Sequence, residues 1–405
     1  PMLKLSDIER EPAKLYIDKK SIADVDVIHH NLFTNQIAYL MLAFDCKKVP
    51  DELLPYVGLL SSVLGLMDTR KHTYPELTNE ININSGGIAT DAAIYTDSKD
   101  FSKYTVMYEV KGKVLYEKLP FVLEMMHEII YETKFEDEKR LREIIARIKS
   151  RMESNMTGSG HTVAMLSAMA QFSPSSYYSD ILRGYQYYEF IEKADRDFDS
   201  MKEMLAENLK RTAALIFTKE NLTVSFTAED DGLELLQKPM TEFVAKLAQL
   251  QGKDAVRTFR PVKEKTAYTS SSQVQYVARC GNYRKAGYEY TGALKVLKII
   301  FSYDYLWLNV RVKGGAYGCM SGFYRNGDTY MVSYRDPNLA ETNTIFEQAA
   351  EYVRRFDVSE RDMVKFIIGT IGGMDTPMNP ASKGVRSFGA YICHTEYAQL
   401  KKERE

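Results

Sequence analysis

The sequence predicts an α+β protein built from two homologous α/β domains, each with a mostly antiparallel sheet packed by helices. The first observation behind this prediction is length: 405 residues exceed the roughly 250–300 at which single hydrophobic cores stop growing. The second is an internal repeat with a spacing of roughly 225 residues, much longer than the repeat of a solenoid. The third is that each copy contains both strand-like and helix-like stretches.

Three matched pairs of segments, in the same order along the chain, define this repeat. They are Gly86-Gly87 with Gly314-Gly315, the run 104–108 with 330–334, and the acidic helix start at 136 with the one at 359. The spacing falls slowly along the chain, as short loop deletions would cause. We therefore expect a first domain at 1–255, which includes an N-terminal extension, and a second domain at 256–405. The polar stretch 253–272 serves as the linker.

Hydrophobic periodicity divides the first copy into alternating strands and helices. Strands are expected at 25–30 and 37–44, with a hairpin turn at 34–36, then at 87–96, 104–110 and 222–227. Helices are expected at 52–67, 115–132, 136–156, from about 162 onward, and at 233–250.

The second copy repeats this order but stops early. Its expected strands are 273–279, 287–290, 315–324 and 329–334, and its expected helices are 294–303, 339–354 and 360–371. No counterpart of the strand 222–227 follows. We therefore expect a C-terminally truncated second domain, a natural chain that continues past Glu405, and a second sheet with an unpaired edge.

Charge and composition exclude several classes of partner. The 53 Lys and Arg residues balance 55 Asp and Glu residues, which argues against nucleic acid as a partner. No apolar run approaches the roughly 20 residues of a membrane span, so no membrane partner is expected. The four cysteines, Cys46, Cys280, Cys319 and Cys393, form no CxxC pattern, which is typical of reduced thiols.

The histidine pattern predicts that this chain holds no metal site of its own. Zinc hydrolases use two histidines on one helical face together with a carboxylate. Only His29 and His30 lie close together among the six histidines, and on a strand they point to opposite faces.

One segment has the composition of a site. Between Trp307 and Gly318, three glycines permit positive φ angles and close backbone approach. Arg311 and Tyr317 flank two of them, and both side chains can donate hydrogen bonds to a carbonyl oxygen. We take Arg311 and Tyr317 as candidate catalytic residues, and these two with Gly314 and Gly315 as candidate substrate-binding residues. The alternative is a glycine-rich strand entry with a surface Arg and Tyr.

The same region carries a resemblance to a known family. The segments 311–318, 333–338 and 369–375, with Pro380 and Lys383-Gly384, resemble the C-terminal half of presequence proteases. These are inverted-zincin metallopeptidases of the pitrilysin/insulinase group. The resemblance implies four metallopeptidase-like domains in two halves that close around a peptide chamber. The N-terminal half would carry the H-x-x-E-H zinc motif, which this sequence lacks.

The resemblance also implies what the candidate residues do. The C-terminal half contributes an Arg and a Tyr, six residues apart, to the zinc-facing cavity, and Arg311 and Tyr317 have that spacing. There they would stabilise the charge that develops on the scissile carbonyl, after closure of the two halves. The implied activity is zinc-dependent endoproteolysis of short unfolded peptides, with this chain inactive by itself.

Partner and compartment follow from the same resemblance. The partner is the zinc-bearing N-terminal half of the same polypeptide, and the compartment is the bacterial cytoplasm, with the mitochondrial matrix as the alternative. Two other functions stay open: a non-catalytic structural or assembly protein of the same fold, and a free-standing peptide-binding module.

Overall fold

The computed structural model describes residues 3–250 and 252–405. Their strands are β1 (Asp18–Ile22), β2 (Val25–Asn31), β3 (Ile37–Asp45), β4 (Ile88–Thr96), β5 (Tyr104–Leu115), β6 (Leu222–Ala228), β7 (Ala278–Asn282), β8 (Gly318–Phe323) and β9 (Asp328–Tyr334). The helices before the second sheet are α1 (Leu54–Val63), α2 (Tyr74–Asn84), α3 (Leu119–Tyr131), α4 (Glu138–Gly158), α5 (Gly160–Ala170), α6 (Pro174–Arg183), α7 (Tyr185–Arg196), α8 (Phe198–Ile216) and α9 (Asp230–Ala245). The helices that follow β7, the first strand of the second sheet, are α10 (Ala293–Ile300), α11 (Ala340–Arg355), α12 (Glu360–Met374), α13 (Pro380–Ile392) and α14 (Tyr397–Lys402).

The first sheet has six strands in the order β1-β2-β6-β3-β5-β4. Only β2 and β6 run parallel. The predicted hairpin around 34–36 is wrong, although Asn35 and Gln36 do form a tight turn with φ angles of 53° and 64°. Strand β6 inserts between β2 and β3 and pairs with both, so the turn connects two strands that are not neighbours.

The central strands of the first sheet are buried on both faces. On one face, alternate residues of β3 such as Leu40, Leu42 and Phe44 join a core shared with the helices α1, α3, α8 and α9. On the other face, Met41 and Ala43 belong to a smaller cluster that is covered by Phe388 of α13. The run 37–44 is therefore almost continuously apolar, as expected for a strand with no solvent face.

Helix α13 approaches this second face very closely. A Cβ atom built on Gly384 would lie 1.9 Å from the Thr227 hydroxyl, so only glycine fits there. The same helix holds the N-terminal segment, because the Tyr16 amide donates to the Ser387 hydroxyl at 3.0 Å. Arg386 also donates to the carbonyl oxygens of Ala13 and Lys14. The C-terminal helices thus fix the N-terminal segment against the first sheet.

The second sheet repeats part of the first. Its order β7-β9-β8 corresponds to β3-β5-β4, and in both cases all pairs are antiparallel. In each copy a helix ends at a Gly-Gly pair that leads into an edge strand. The second glycine has a positive φ in both, 108° at Gly87 and 81° at Gly315. The predicted fold class is confirmed: two related α/β units with antiparallel-rich sheets.

Three details of the second copy differ from expectation, and the first is that the strand expected at 273–279 begins only at Ala278, as β7. No strand forms at 287–290, where the chain leaves a short 3₁₀ turn, Arg284–Ala286. The helix expected at 294–303 is longer, because α10 continues as π-helix through Phe301–Tyr305 and Trp307–Lys313. The division at residues 255 and 256 remains our proposal. It falls in a stretch, 252–277, that contains no helix or strand among its described residues.

In the first sheet, β6 pairs with β3 on the side away from β5. Among the described residues, no strand pairs with β7 on the corresponding side, away from β9. Helix α5 packs across β7 and β9, and the Cys280 thiol donates to the Met165 carbonyl at 3.7 Å. Across the described ranges, no helix has the length and hydropathy needed to cross a bilayer.

We predict that His30 makes folding stability depend on pH. Burial lowers the pKa of His30 from 6.5 to about 4, with the neighbouring His29 acting in the same direction. The neutral ring is satisfied, since Nδ1 donates to the Tyr16 carbonyl and Nε2 accepts from the Ser225 hydroxyl at 3.0 Å. The unfolded chain therefore binds the proton first as pH falls.

This contribution to stability is fully present above pH 6.5 and is lost as pH falls towards 4, by about 3 kcal/mol at most. Urea unfolding at a series of pH values measures it. The His30→Gln protein should lose stability less steeply across this range than the wild type. Equal slopes in wild type and His30→Gln would contradict the prediction.

Candidate functional site

The candidate residues lie around one open depression of about 620 Å³ in the second domain. It forms where the helix that starts at α10 ends and β8 begins. The lining residues are Trp307, Arg311, Val312, Gly315, Ala316, Tyr317 and Arg335. The structure therefore brings together three of the four predicted residues, Arg311, Gly315 and Tyr317. Gly314 is not part of the lining.

The wide final turns of the helix position Arg311. The Gly314 amide donates to the Asn309 carbonyl five residues back, at 3.0 Å, which is the hydrogen bond of a π-helix. In this winding the Arg311 guanidinium stacks on the Trp307 ring, 3.9 Å from its centroid. This cation–π contact holds the arginine over an aromatic face and leaves its in-plane N–H groups free to donate.

Gly314 and Gly315 turn the chain from the helix into the strand. A Cβ on Gly314 would lie 2.5 Å from the Val310 carbonyl oxygen, and Gly315 has the left-handed φ described above. The Gly314 carbonyl accepts a hydrogen bond of 2.6 Å from the Asn338 side chain. Gly314 therefore has a structural part in shaping the site and Gly315 contributes backbone to its wall.

The loop after β9 stabilises this turn. Asp336 is fully buried and accepts hydrogen bonds from the Asn338 amide at 2.9 Å and the Thr342 hydroxyl at 2.7 Å. Its backbone also exchanges two hydrogen bonds with Gln275. These contacts explain the Asp-Pro-Asn part of the motif 333–338: it fixes the loop that holds Gly314.

Tyr317 stands at the start of β8 with 67% of its surface exposed. Its amide donates to the carbonyl oxygens of Tyr334 and Arg335, and its ring meets the Tyr334 ring edge-on at 5.8 Å. The hydroxyl makes no hydrogen bond within the described parts of the chain. The backbone is thus fixed while the hydroxyl is available to a ligand.

The depression is anchored to the first domain through a break in its helices. Helix α4 ends at Gly158, and the last carbonyl groups of a helix have no partners within it. The hydroxyl of Tyr334 donates to the Gly158 carbonyl at 3.1 Å, and that of Tyr276 donates to the Thr157 carbonyl at 2.6 Å. A Cβ on Gly160 would lie 2.3 Å from the Tyr276 ring, so glycine is required at this contact.

Sequence reasoning missed four lining residues, Trp307, Val312, Ala316 and Arg335. Of these, Trp307 and Arg335 have the large aromatic or charged side chains. Trp307 belongs to the site only because the helix continues beyond Tyr303. Arg335 follows β9 directly, and the β8–β9 register pairs Gly318 with Tyr334, which brings Arg335 beside Tyr317. The signal for this was Asn326-Gly327, a strong hairpin turn that fixes the register of the two strands.

Two kinds of chemistry do not fit the depression. Burial raises the pKa of the Cys319 thiol to about 11, although the Arg311 charge opposes the shift. The thiol therefore stays protonated and is a poor nucleophile. Within residues 3–250 and 252–405, no group of three or more His, Cys, Asp or Glu side chains is arranged to hold a metal ion.

Comparison with known proteins gives the class of this fold. The model for a region associated with peptidases of family M16, subgroup C, matches residues 1–193, and the PreP C-terminal domain model matches residues 265–405. A solved peptidase M16 inactive domain from Pseudomonas fluorescens superposes with a TM-score of 0.62 at 16% identity, over 96% of this chain and 90% of that one. The two units are therefore domains of the M16 peptidase type.

Curated relatives narrow this class. Protein HypA of Clostridium perfringens is 36% identical over 408 residues, and presequence protease 1 of Arabidopsis thaliana is 29% identical over 410. Both alignments cover 100% of this chain, but only 41% and 38% of the relatives. The chain thus spans about two fifths of the curated relatives it matches. It belongs to the M16 peptidase family, as a C-terminal half of the presequence protease type.

We predict that the Tyr334 hydroxyl contributes measurably to stability. The Tyr334→Phe change should lower the free energy of unfolding by about 1 kcal/mol, because the Gly158 carbonyl loses its donor. Tyr303→Phe is the matched control, since Tyr303 is 72% exposed and its hydroxyl makes no bond in the described structure. Urea denaturation compares the two, and equal stabilities would refute the assigned role of Tyr334.

Proposed function

We propose that this chain is the substrate-binding, C-terminal half of a zinc metalloendopeptidase that degrades short unfolded peptides. One observation carries the proposal: Arg311 and Tyr317 present free donor groups to the same open depression, six residues apart. A buried Tyr317 with an internal hydrogen bond would have argued against it. The family relationship supports the peptidase class, and the finer assignment is ours.

The partner that we propose is an N-terminal half of the same polypeptide, and zinc is assigned to that half. The described residues of this chain do not fit a zinc site, because they offer no suitable cluster of ligands. The share of the relatives that this chain covers supports a missing partner half. As compartment we propose the bacterial cytoplasm, with the mitochondrial matrix as the second candidate. The four free cysteines support a reducing compartment, where disulfides are rare.

In this proposal the chain's own residues hold the peptide and stabilise charge. The Tyr317 hydroxyl donates to the scissile carbonyl oxygen, which becomes more negative as the bond is attacked. The Arg311 guanidinium donates to the same oxygen or to the adjacent backbone, with its plane held by Trp307. Both groups come from the half opposite the zinc, so the reaction requires the two halves to close around the peptide.

We expect the 405-residue chain alone neither to bind zinc tightly nor to cleave peptides. Dialysis followed by elemental analysis measures the metal, and chromatography of an incubated unstructured peptide measures cleavage. The matched control is the protein from the complete coding sequence, which should retain zinc and should encode H-x-x-E-H upstream of Pro1. Stoichiometric zinc in the isolated chain, or cleavage that a chelator abolishes, would contradict this assignment.

In the complete enzyme, Tyr317→Phe should lower kcat by roughly 10²–10³, because one donor to the developing charge is lost. Arg311→Ala should be at least as damaging, and Arg311→Lys should not restore activity, since an ammonium lacks the planar fork. Tyr288→Phe is the control, at 69% exposure against 67% for Tyr317. Full turnover by the Tyr317→Phe enzyme would show that the Tyr317 hydroxyl has no part in catalysis. It would favour a peptide-binding role for the fold.

A further inference from the structure

The depression holds more positive charge than a neutral peptide bond requires. Arg311 and Arg335 both line it, one from the helix and one from the end of β9. Neither makes an ion pair within the described structure; their guanidinium groups lie instead over the rings of Trp307 and Tyr334, at 3.9 and 5.4 Å. Elsewhere in this domain, Arg325 is paired by two hydrogen bonds to Glu403.

Two unpaired guanidinium groups at one surface repel each other, and a bound anion would relieve that repulsion. The nearest acidic residue in sequence, Asp336, cannot serve, since it is buried and its carboxylate is engaged by Asn338 and Thr342. The aromatic faces beneath the two guanidiniums also favour planar stacking, which leaves the N–H edges directed at a ligand.

The backbone of Arg335 gives a second, independent indication. Its φ is 49°, a left-handed conformation that is uncommon for any residue with a side chain. Such strain persists only when the surroundings impose it, and it clusters at binding sites. The Tyr317 amide and the paired backbone of Asp336 impose it here. The effect is to project an exposed arginine at the rim instead of continuing the strand.

We propose that Arg335 recognises a carboxylate of the bound peptide, and so selects substrates with a negative charge near the bond held by Arg311 and Tyr317. The planar fork of arginine matches a carboxylate by two parallel hydrogen bonds. The carboxylate is either an acidic side chain or the peptide C-terminus, which share this chemistry. This inference rests on the proposed function, since it assigns a specificity-determining residue to the same site.

The chain provides its own reporter for the test. Trp307 is the only tryptophan in the sequence, and it lines the depression in contact with Arg311. Peptide binding should therefore change the tryptophan fluorescence of the 405-residue chain without any need for catalysis. Three short unstructured peptides of otherwise identical composition serve as probes: one amidated with an internal Glu, one with Gln and a free C-terminus, and one amidated with Gln.

We expect the wild-type chain to bind one or both carboxylate peptides about tenfold more tightly than the neutral peptide. The carboxylate peptide that binds more tightly than the neutral peptide shows whether Arg335 recognises an acidic side chain or the C-terminus. Arg335→Gln should abolish this preference, so that the variant binds the carboxylate peptides no more tightly than it binds the neutral peptide. Arg355→Gln is the matched control, because it removes an exposed arginine on α11, outside the depression. It should keep the preference.

Each other outcome overturns the inference in a distinguishable way. Equal binding of all three peptides by the wild type refutes carboxylate recognition but leaves the proposed function standing. No fluorescence response to any peptide counts against both. Retention of the preference by Arg335→Gln refutes the role of that residue. Circular dichroism shows whether Arg335→Gln folds. If it does not, Arg335→Lys replaces it as the test, because lysine keeps the charge but lacks the planar fork of arginine. Arg335→Lys should weaken the preference for carboxylate peptides severalfold.

Discussion

The burial of both faces of the central strands in the first sheet is the constraint on which the rest of the chain depends. Strands β3 and β6 have no solvent face, so a helix must cover each side of them. On the second side that helix is α13, which comes from the end of the second domain. Burying a side chain the size of Phe388 typically contributes about 3–5 kcal/mol relative to alanine. The second domain is therefore held by the core of the first.

This docking also determines where the candidate site stands. Helix α13 fixes one end of the second domain against the sheet, and Tyr334 and Tyr276 fix the other at the break between α4 and α5. Between these attachments, the π-helical turn and β8 have a defined position relative to the first domain. The side chains of Arg311 and Tyr317 can remain exposed because their backbone is fixed by contacts that do not involve them.

The sequence predicted much of the fold because the relevant signals are local. The Gly-Gly pairs mark a turn that needs positive φ. The apolar run of β3 and the alternation of apolar residues with Thr and Ser in β6 are typical of strands. The insertion of β6 between β2 and β3 could not be read in the same way, because pairing between distant segments leaves no local trace. The strand expected at 287–290 failed for a related reason: its residues had no neighbouring strand to pair with.

The site was predictable in part. Spacing and family resemblance pointed to Arg311 and Tyr317, and both line one depression. Arg335 was missed, although the Asn326-Gly327 turn sets the pairing register of β8 and β9, and this register places Arg335 beside Tyr317. Trp307 depended on a helix that changes from α to π winding, and no residue preference predicts that change. Those two residues needed three-dimensional information that the motif alone did not carry.

The duplicated Gly-Gly corner has an evolutionary consequence. At the same distance from the glycine pair, the first domain has Ile83 and Ala89 where the second has Arg311 and Tyr317. Ile83 is 77% exposed and Tyr317 is 67% exposed, so both copies of the corner present a side chain to solvent. After duplication, one copy could retain only the geometry while the other was free to specialise its side chains. The molecule thus contains, within one polypeptide, the same turn with two different sets of side chains on it.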